Sequence, residues 1–392
     1  MKSRQFALLC GVGLFAFISY NLVRMPVLSL YAQSLGAGPE AIGFIVSAST
    51  LTGVFLKWPA GALSDIYDRR WLLLAGLLAF ALPPFFYQFV SDVGWLVALR
   101  FTHGMATAVF APIALAVVAD LCREARGAAY GSYTAATQAG AMLGPVLGGW
   151  LVVSAGFPAA FATAGILGTI AVLLFLLMRL PPQIPRVASG SGPGAVLREM
   201  ARGARTVVGN VRVVVTSVTD GARQVANGAL MAFLPIYVVG IGMDAAQAGV
   251  LFGVQSVTSF FSRPTMGWAS DRIGRRPLIL LGLVVCAASL AAIPFTRPFG
   301  WLMVLSALFG FGEAIVNASA AALVADLSEL KTLGSAMGMQ GTIMDIGHAS
   351  GPILAGLLIG ALGFEKAFSI IAGIVLLAAG AFRFGVGPAR PA

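Results

Sequence analysis

The chain has 392 residues, 58% of them hydrophobic and 10% charged, with a mean hydropathy of +0.91. A soluble domain carries about 25% charged residues, and this much apolar sequence exceeds what a core of such a chain can bury. A soluble enzyme, a disordered regulator and a nucleic-acid binder are thereby excluded, so the net charge of +10 needs another cause.

Apolar runs of about 20 residues or more read as membrane spans. In chain order they cover residues 6–33, 40–63, 71–91, 93–119, 127–155, 158–179, 212–241, 245–269, 277–296, 299–326, 333–361 and 365–385. At roughly 33 residues per helix and connection, the length accommodates twelve. Most runs lack strict alternation and are too long for barrel strands, which favours helices. The first run follows Lys2 and Arg4 and exceeds a signal-peptide core, so it reads as an uncleaved span. Of the 25 Lys and Arg, eighteen fall in tails and loops on one side. That asymmetry explains the charge. It predicts a multi-pass inner-membrane protein with both termini and the loop 181–211 in the cytoplasm. Within that loop Arg198, Arg202 and Arg205 fall on one face of a short helix, which fits either the anionic inner leaflet or a solvated linker. Cys10, Cys122 and Cys286 are scattered, with no CxxC, so neither a disulfide nor a metal cluster is expected. There is no phosphate-binding GxxxxGK[ST] loop, and no cofactor is expected.

The chain repeats itself. Residues 21–65 align without a gap on 227–271, so that Asn21 faces Asn227, Gly36 faces Gly242 and Asp65 faces Asp271. The same offset of 206 pairs Arg69 and Arg70 with Arg275 and Arg276, Gly104 with Gly310, and Asp120 with Asp326. One residue more pairs Gly144-Pro145 with Gly351-Pro352. Six spans per repeat make the repeats parallel, related by an axis along the membrane normal. The expected organisation is an N-terminal six-helix bundle (1–180), a linker (181–211) and a C-terminal six-helix bundle (212–392). Such a transporter works through a central site and two halves that rock.

Three motifs carry chemistry. The turn GALSDIYDRR at 61–70 returns as GWASDRIGRR at 267–276. Its small residues allow close helix packing, its acids can pair with neighbouring cations, and its arginines sit in the inner headgroup layer. Span 4 holds LVALRFTHG at 96–104, with Arg100 about six residues into the membrane, where a charge is costly unless paired or hydrated. Snorkelling to the outer interface is the plainer reading of Arg100. Span 5 holds GAMLGPVLGG at 140–149, a stripe free of side chains with a proline bend, and span 11 a weaker copy at 347–356.

With these motifs the sequence resembles the major facilitator superfamily over nearly its whole length. The second turn matches the family's G-x-x-x-D-[RK]-x-G-[RK]-[RK] through Gly267, Asp271, Arg272, Gly274, Arg275 and Arg276. The first departs from it at Ile66 and Asp68. The resemblance implies that Asp65, Arg69, Arg70, Asp271, Arg272, Arg275 and Arg276 gate the cytoplasmic side. Gly144, Pro145, Gly351 and Pro352 are placed with them. It also associates Arg100 with proton coupling, in a pattern where His103 stands for the more usual Gln. The span-5 stripe is similar to the signature associated with antiporters, which favours export.

Ionisable residues inside spans are functional candidates. Spans 1, 7, 10 and 11 contain Asn21 and Arg24; Asp220, Arg223 and Asn227; Glu313 and Asn317; Asp345 and His348. The resemblance places Arg24, Arg100, Arg223, Asn227 and Glu313 near the central cavity. Glu313 falls near the bilayer middle, where a carboxyl can load and release a proton as access alternates. Asp345 and His348, at i and i+3, can form a relay. Asp220 and Arg223 can neutralise each other. Arg24 can meet Glu313, Asp345 or an anionic substrate. Tyr20, Tyr31, Phe233 and Tyr237 either line the cavity or pack. Lys57 and Arg263 read as inner-interface anchors.

The expectation is a proton-coupled exporter of drug-like or other small organic molecules, monomeric and not an enzyme. Glu313, Asp345, His348 and Arg100 are the proton-coupling candidates. Arg24, Asn21, Arg223, Asn227, Asn317, Tyr31 and Tyr237 are the substrate-binding candidates. Its partners are a small molecule, protons and the bilayer, with no nucleic acid. The alternative is proton-driven uptake of an anionic or polar metabolite held by Arg24 and Arg223.

Overall fold

The structure, a computed structural model, describes residues 2–122, 125–180, 209–329 and 332–386. Side chains at positions 2, 3, 58 and 61–66, Asp65 among them, lie outside the described residues, as do the linker segment 181–208 and its expected helix. The described secondary structure is helical. In a hydrocarbon medium a helix satisfies its own backbone, which is why apolar runs of this length fold as helices.

The helices are α1 (Lys2–Leu22), α2 (Leu28–Ser34), α3 (Pro39–Ile66), α4 (Arg69–Tyr87), α5 (Val93–Leu121) and α6 (Arg126–Leu176). After the linker come α7 (Val211–Gly240), α8 (Ala245–Ile273), α9 (Arg275–Ala292), α10 (Phe299–Asp326), α11 (Leu333–Leu362) and α12 (Phe364–Gly385). Among the described residues ten helical stretches are long and apolar enough to cross a membrane. The sequence counts twelve, and the difference has two sources. Spans 5 and 6 run together in the 51 residues of α6, interrupted only at Gly156 (φ 81°, ψ 176°). The helix α8 has the length but carries too many polar residues to count. The first span also differs from expectation: α1 and α2 are separated at Val23–Val27, where Met25 is extended (φ −143°, ψ 127°) and Pro26 follows.

Two compact units form. The first takes residues 1–191 and 238–253, the second 192–237 and 254–392. In the first, α1 lies in the glycine stripe of α6. A side chain at Gly140 would meet the Leu14 carbonyl at 2.6 Å, and one at Gly144 would meet Asn21 Cβ at 2.8 Å. A side chain at Gly148 would meet the Leu22 carbonyl at 2.5 Å. In the second, Gly347 and Gly351 of α11 abut the carbonyls of Gly221 and Val225 in α7.

Many of these contacts occur twice at the sequence offset. Gly76 packs on Phe110 as Gly282 packs on Val316, and Gly104 on Ser49 as Gly310 on Gln255. Tyr31 donates to the Val90 carbonyl (2.8 Å), and Tyr237 donates to that of Thr296 (3.1 Å). Arg69 pairs with Asp120 (2.5 Å), and Arg275 with Asp326 (3.1 Å).

Candidate functional site

In the first unit the polar groups converge on Tyr20 of α1. Arg100, on α5, is fully buried, which rules out snorkelling. Its guanidinium donates to Ser49 Oγ of α3, lies 3.5 Å from His103 Nδ1, and stands 5.9 Å from the centre of the Tyr20 ring. Arg24 stands 5.6 Å from the same ring and donates to Thr50 Oγ1 (3.3 Å). Two cations therefore approach one aromatic ring; each contact with the ring is attractive, while the two like charges repel each other. His103 meets the Tyr20 ring edge-on at 4.9 Å, and its Nδ1 is 3.1 Å from the Tyr87 hydroxyl. A guanidinium can only donate, so a hydrogen bond from Arg100 requires Nδ1 as acceptor and, in a neutral ring, the hydrogen on Nε2, a buried atom with no partner.

The second unit holds a different cluster. Arg223 of α7 is fully buried and grips Asp220 through Nε (2.9 Å) and a terminal nitrogen (2.8 Å). It also donates to Asn317 Oδ1 of α10 (3.0 Å), while Glu313 Oε1 stands 3.8 Å away. Gln340 of α11 donates to the other Asp220 oxygen (3.3 Å). One cation thus faces two carboxylates. Asp220 takes the close contacts, and Glu313, 15% exposed, is the looser partner. The Glu313 partner is therefore Arg223 of its own unit.

The remaining candidates are placed as follows. Asn21 is buried and donates to the Phe17 carbonyl of its own helix (2.8 Å), whereas its repeat mate Asn227 joins side chains on two helices. Tyr31 and Tyr237 tie helix ends by their hydroxyls, Tyr31 among Phe157 and Phe161 and Tyr237 beside Phe364. Asp345 and His348 are half-buried on α11. At the turns, Arg70 donates to the Met178 carbonyl (3.2 Å) and Arg276 to that of Arg383 (2.7 Å). Asp271 pairs with Arg275, and Arg272 stacks on Trp268 at 4.0 Å. The departure of the first turn from the motif has a structural reason. Asp68 caps α4 by accepting from the Arg70 amide (2.8 Å), with φ −60°; Gly274 starts α9 at φ 101°, with no side-chain cap.

Sequence reasoning missed Ser49, Tyr87, Gln224, Gln255 and Gln340 as parts of these clusters. One signal was available: Ser49 and Gln255 are repeat mates, and both are polar.

Comparison with known proteins gives findings of three kinds. The description of the Major Facilitator Superfamily matches residues 9–219 and 221–392. An MFS-type transporter of Methanocaldococcus jannaschii is 24% identical over 377 residues, 94% of each chain. The multidrug resistance protein MdtG of Salmonella typhimurium is 27% identical over 373 residues, 91% of this chain and 89% of that one. Among solved structures, a mutant form of the nucleoside transporter NupG superposes with TM-score 0.81 at 16% identity, covering 96% of this chain and 98% of that one. A bacterial homolog of the lysosomal transporter Spinster gives 0.80 at 14%, covering 97% and 96%. At such identity these two show the fold alone.

Proposed function

Because the chain belongs to the major facilitator superfamily, we propose that it is a proton-coupled exporter of drug-like or other small organic molecules, working by alternating access. The membrane is an inner membrane, both termini are cytoplasmic, and the chain acts as a monomer of twelve crossings. The 51-residue α6 would measure about 77 Å, more than two bilayer cores, and supplies two crossings about Gly156. α8 supplies the other by its length of 29 residues. The crossings group as bundles 1–180 and 212–392, joined by 181–211.

One observation carries the coupling: the unequal pair of acids on Arg223. Two carboxylates on one guanidinium leave a surplus negative charge. Protonating Glu313 removes the surplus while Asp220 keeps Arg223 paired. Protonating Asp220 would instead break the closest contacts. Glu313 is thus the proton carrier, Asp220 a permanent counter-ion, and Arg223 a cation already engaged. Asp345, His348 and Arg100 remain in the proposed coupling path. Arg24, Asn227 and Asn317 remain in the substrate region, and the arginine turns in the gate. Export is supported by the likeness to MdtG, named a multidrug resistance protein, and by the α6 stripe. The two arginines on Tyr20 favour a second reading, uptake of an anionic metabolite.

The test is accumulation of a compound panel in an efflux-deficient host, with and without a protonophore. Export predicts reduced accumulation that the protonophore abolishes, and loss of that effect in Glu313→Gln at normal expression. Raised accumulation of an anion would establish the second reading.

A further inference from the structure

Next to the charged cluster of the second unit lies a chain of three uncharged amides. Gln255 of α8 donates through Nε2 to Asn227 Oδ1 of α7 (3.3 Å), and Asn227 donates through Nδ2 to Gln224 Oε1 (3.3 Å). Each link uses one donor and one acceptor, so the chain ends on one unused carbonyl and one unused amino group. The carbonyl is Gln255 Oε1. The residue is 7% exposed, and this oxygen has no hydrogen-bond partner. The amino group belongs to Gln224, which is half-buried and donates no hydrogen bond among the described residues. Rotating all three amides would instead leave the amino group on Gln255 and the carbonyl on Gln224, and the Gln255 variants below distinguish the two orientations. A buried acceptor without a donor is uncommon and asks for a partner. The helix packing is already tight, since Gly310 abuts the backbone carbonyl of Gln255. The neighbouring Arg223 is engaged by Asp220 and Asn317 and leaves the amide chain without a charge of its own.

We propose that Gln255, Asn227 and Gln224 form a subsite for the uncharged polar edge of a substrate, with the Gln255 carbonyl accepting from a ligand N–H or O–H. The ligand class is an uncharged molecule that carries a donor and an acceptor on opposite edges, such as a vinylogous amide. The subsite rests on the export reading for its place in a transport cycle, and it adds what that reading leaves open: the chemistry that is recognised. A chain of amides is suited to this, because a site built to bond a ligand N–H rejects the analogue that lacks it.

The experiment uses the full chain in lipid nanodiscs and two fluorescent probes. Acridone is rigid and uncharged, with one N–H and one carbonyl; N-methylacridone keeps the carbonyl and lacks the donor. Acridone is expected to bind about tenfold more tightly than N-methylacridone, the effect of one hydrogen bond to a buried acceptor. Gln255→Met should bring the ratio to about one, and Gln255→Glu, which keeps an acceptor, should preserve the preference. Equal affinities in the native chain, a preference that survives in Gln255→Met, or failure of both probes to bind would each overturn the subsite. Titration requires no proton gradient. A missing preference therefore leaves protonophore-sensitive export intact, and missing export leaves the binding ratio intact.

Discussion

Asp220 and Glu313 face the same guanidinium, and the distances divide their roles. Asp220 sits at 2.8 Å with 1% of its side chain exposed; Glu313 sits at 3.8 Å. Removing one partner of a buried pair typically costs about 3–5 kcal/mol, because the other charge is left without compensation. Asp220→Asn should therefore lower the melting temperature in detergent strongly, while Glu313→Gln should leave it nearly unchanged and remove proton-driven transport. The reverse ranking would exchange the roles of the two acids. His103 offers a second measurement. The chain contains two histidines, so ¹⁵N-imidazole spectra of native protein and of His348→Gln assign His103 directly. At neutral pH its pattern should be that of the Nε2–H tautomer, because Arg100 and Tyr87 address Nδ1. A hydrogen on Nδ1 would contradict the Arg100 contact. The sequence named Arg100, Glu313, Asp220 and Arg223, because a charge in an apolar run is conspicuous. It did not name Ser49 or Gln255, because their partners stand on other helices and small polar residues are ordinary in spans.

At the scale of the element, span positions were legible because twenty apolar residues in a row have few other fates. The interruption at Met25 was less so: Pro26 is a signal, but many span prolines only bend a helix. The two arginine turns show one task solved twice. Asp68→Ala should cost about 1 kcal/mol through loss of the cap. Gly274→Ala should cost about 1–2 kcal/mol, because φ of 101° forces a side chain against its own backbone. Thermal unfolding of the two variants checks both values. The glycine stripe makes a sharper prediction. Gly144→Leu must displace α1, since even a Cβ there would meet Leu22 N at 2.8 Å. Fluorescence-detected size exclusion should show loss of the monodisperse peak, whereas the same change at Gly131, with open space around it, should be tolerated.

Across the whole molecule the packing repeats and the chemistry does not. The Arg69–Asp120 and Arg275–Asp326 pairs are counterparts, yet the Asp120 side chain is 13% exposed and that of Asp326 is 55% exposed. Exposed pairs contribute little, so Asp120→Asn should destabilise more than Asp326→Asn in the same melting assay. The charged and aromatic members of the polar clusters fall at unmatched positions. The mates of Arg100, His103 and Tyr20 are Ser306, Phe309 and Ala226; those of Asp220, Arg223 and Glu313 are Leu14, Phe17 and Thr107. The repeat was visible in the sequence because close backbone contacts leave no room for a side chain at glycines such as Gly76, Gly104, Gly282 and Gly310. The charged members of the clusters were found by their charge and not by the repeat, because their mates are mostly apolar.

The matched scaffold bonds have a practical consequence for how such a molecule can change. Several contacts at one end of the offset have a counterpart at the other, as Gly76 on Phe110 has in Gly282 on Val316. Leu14, Phe17 and Thr107 are addresses whose counterparts already accommodate a buried ion pair and a second acid. A duplicated chain of this kind holds its own catalogue of tolerated charge placements, and new substrates can be reached by copying a cluster across rather than inventing one.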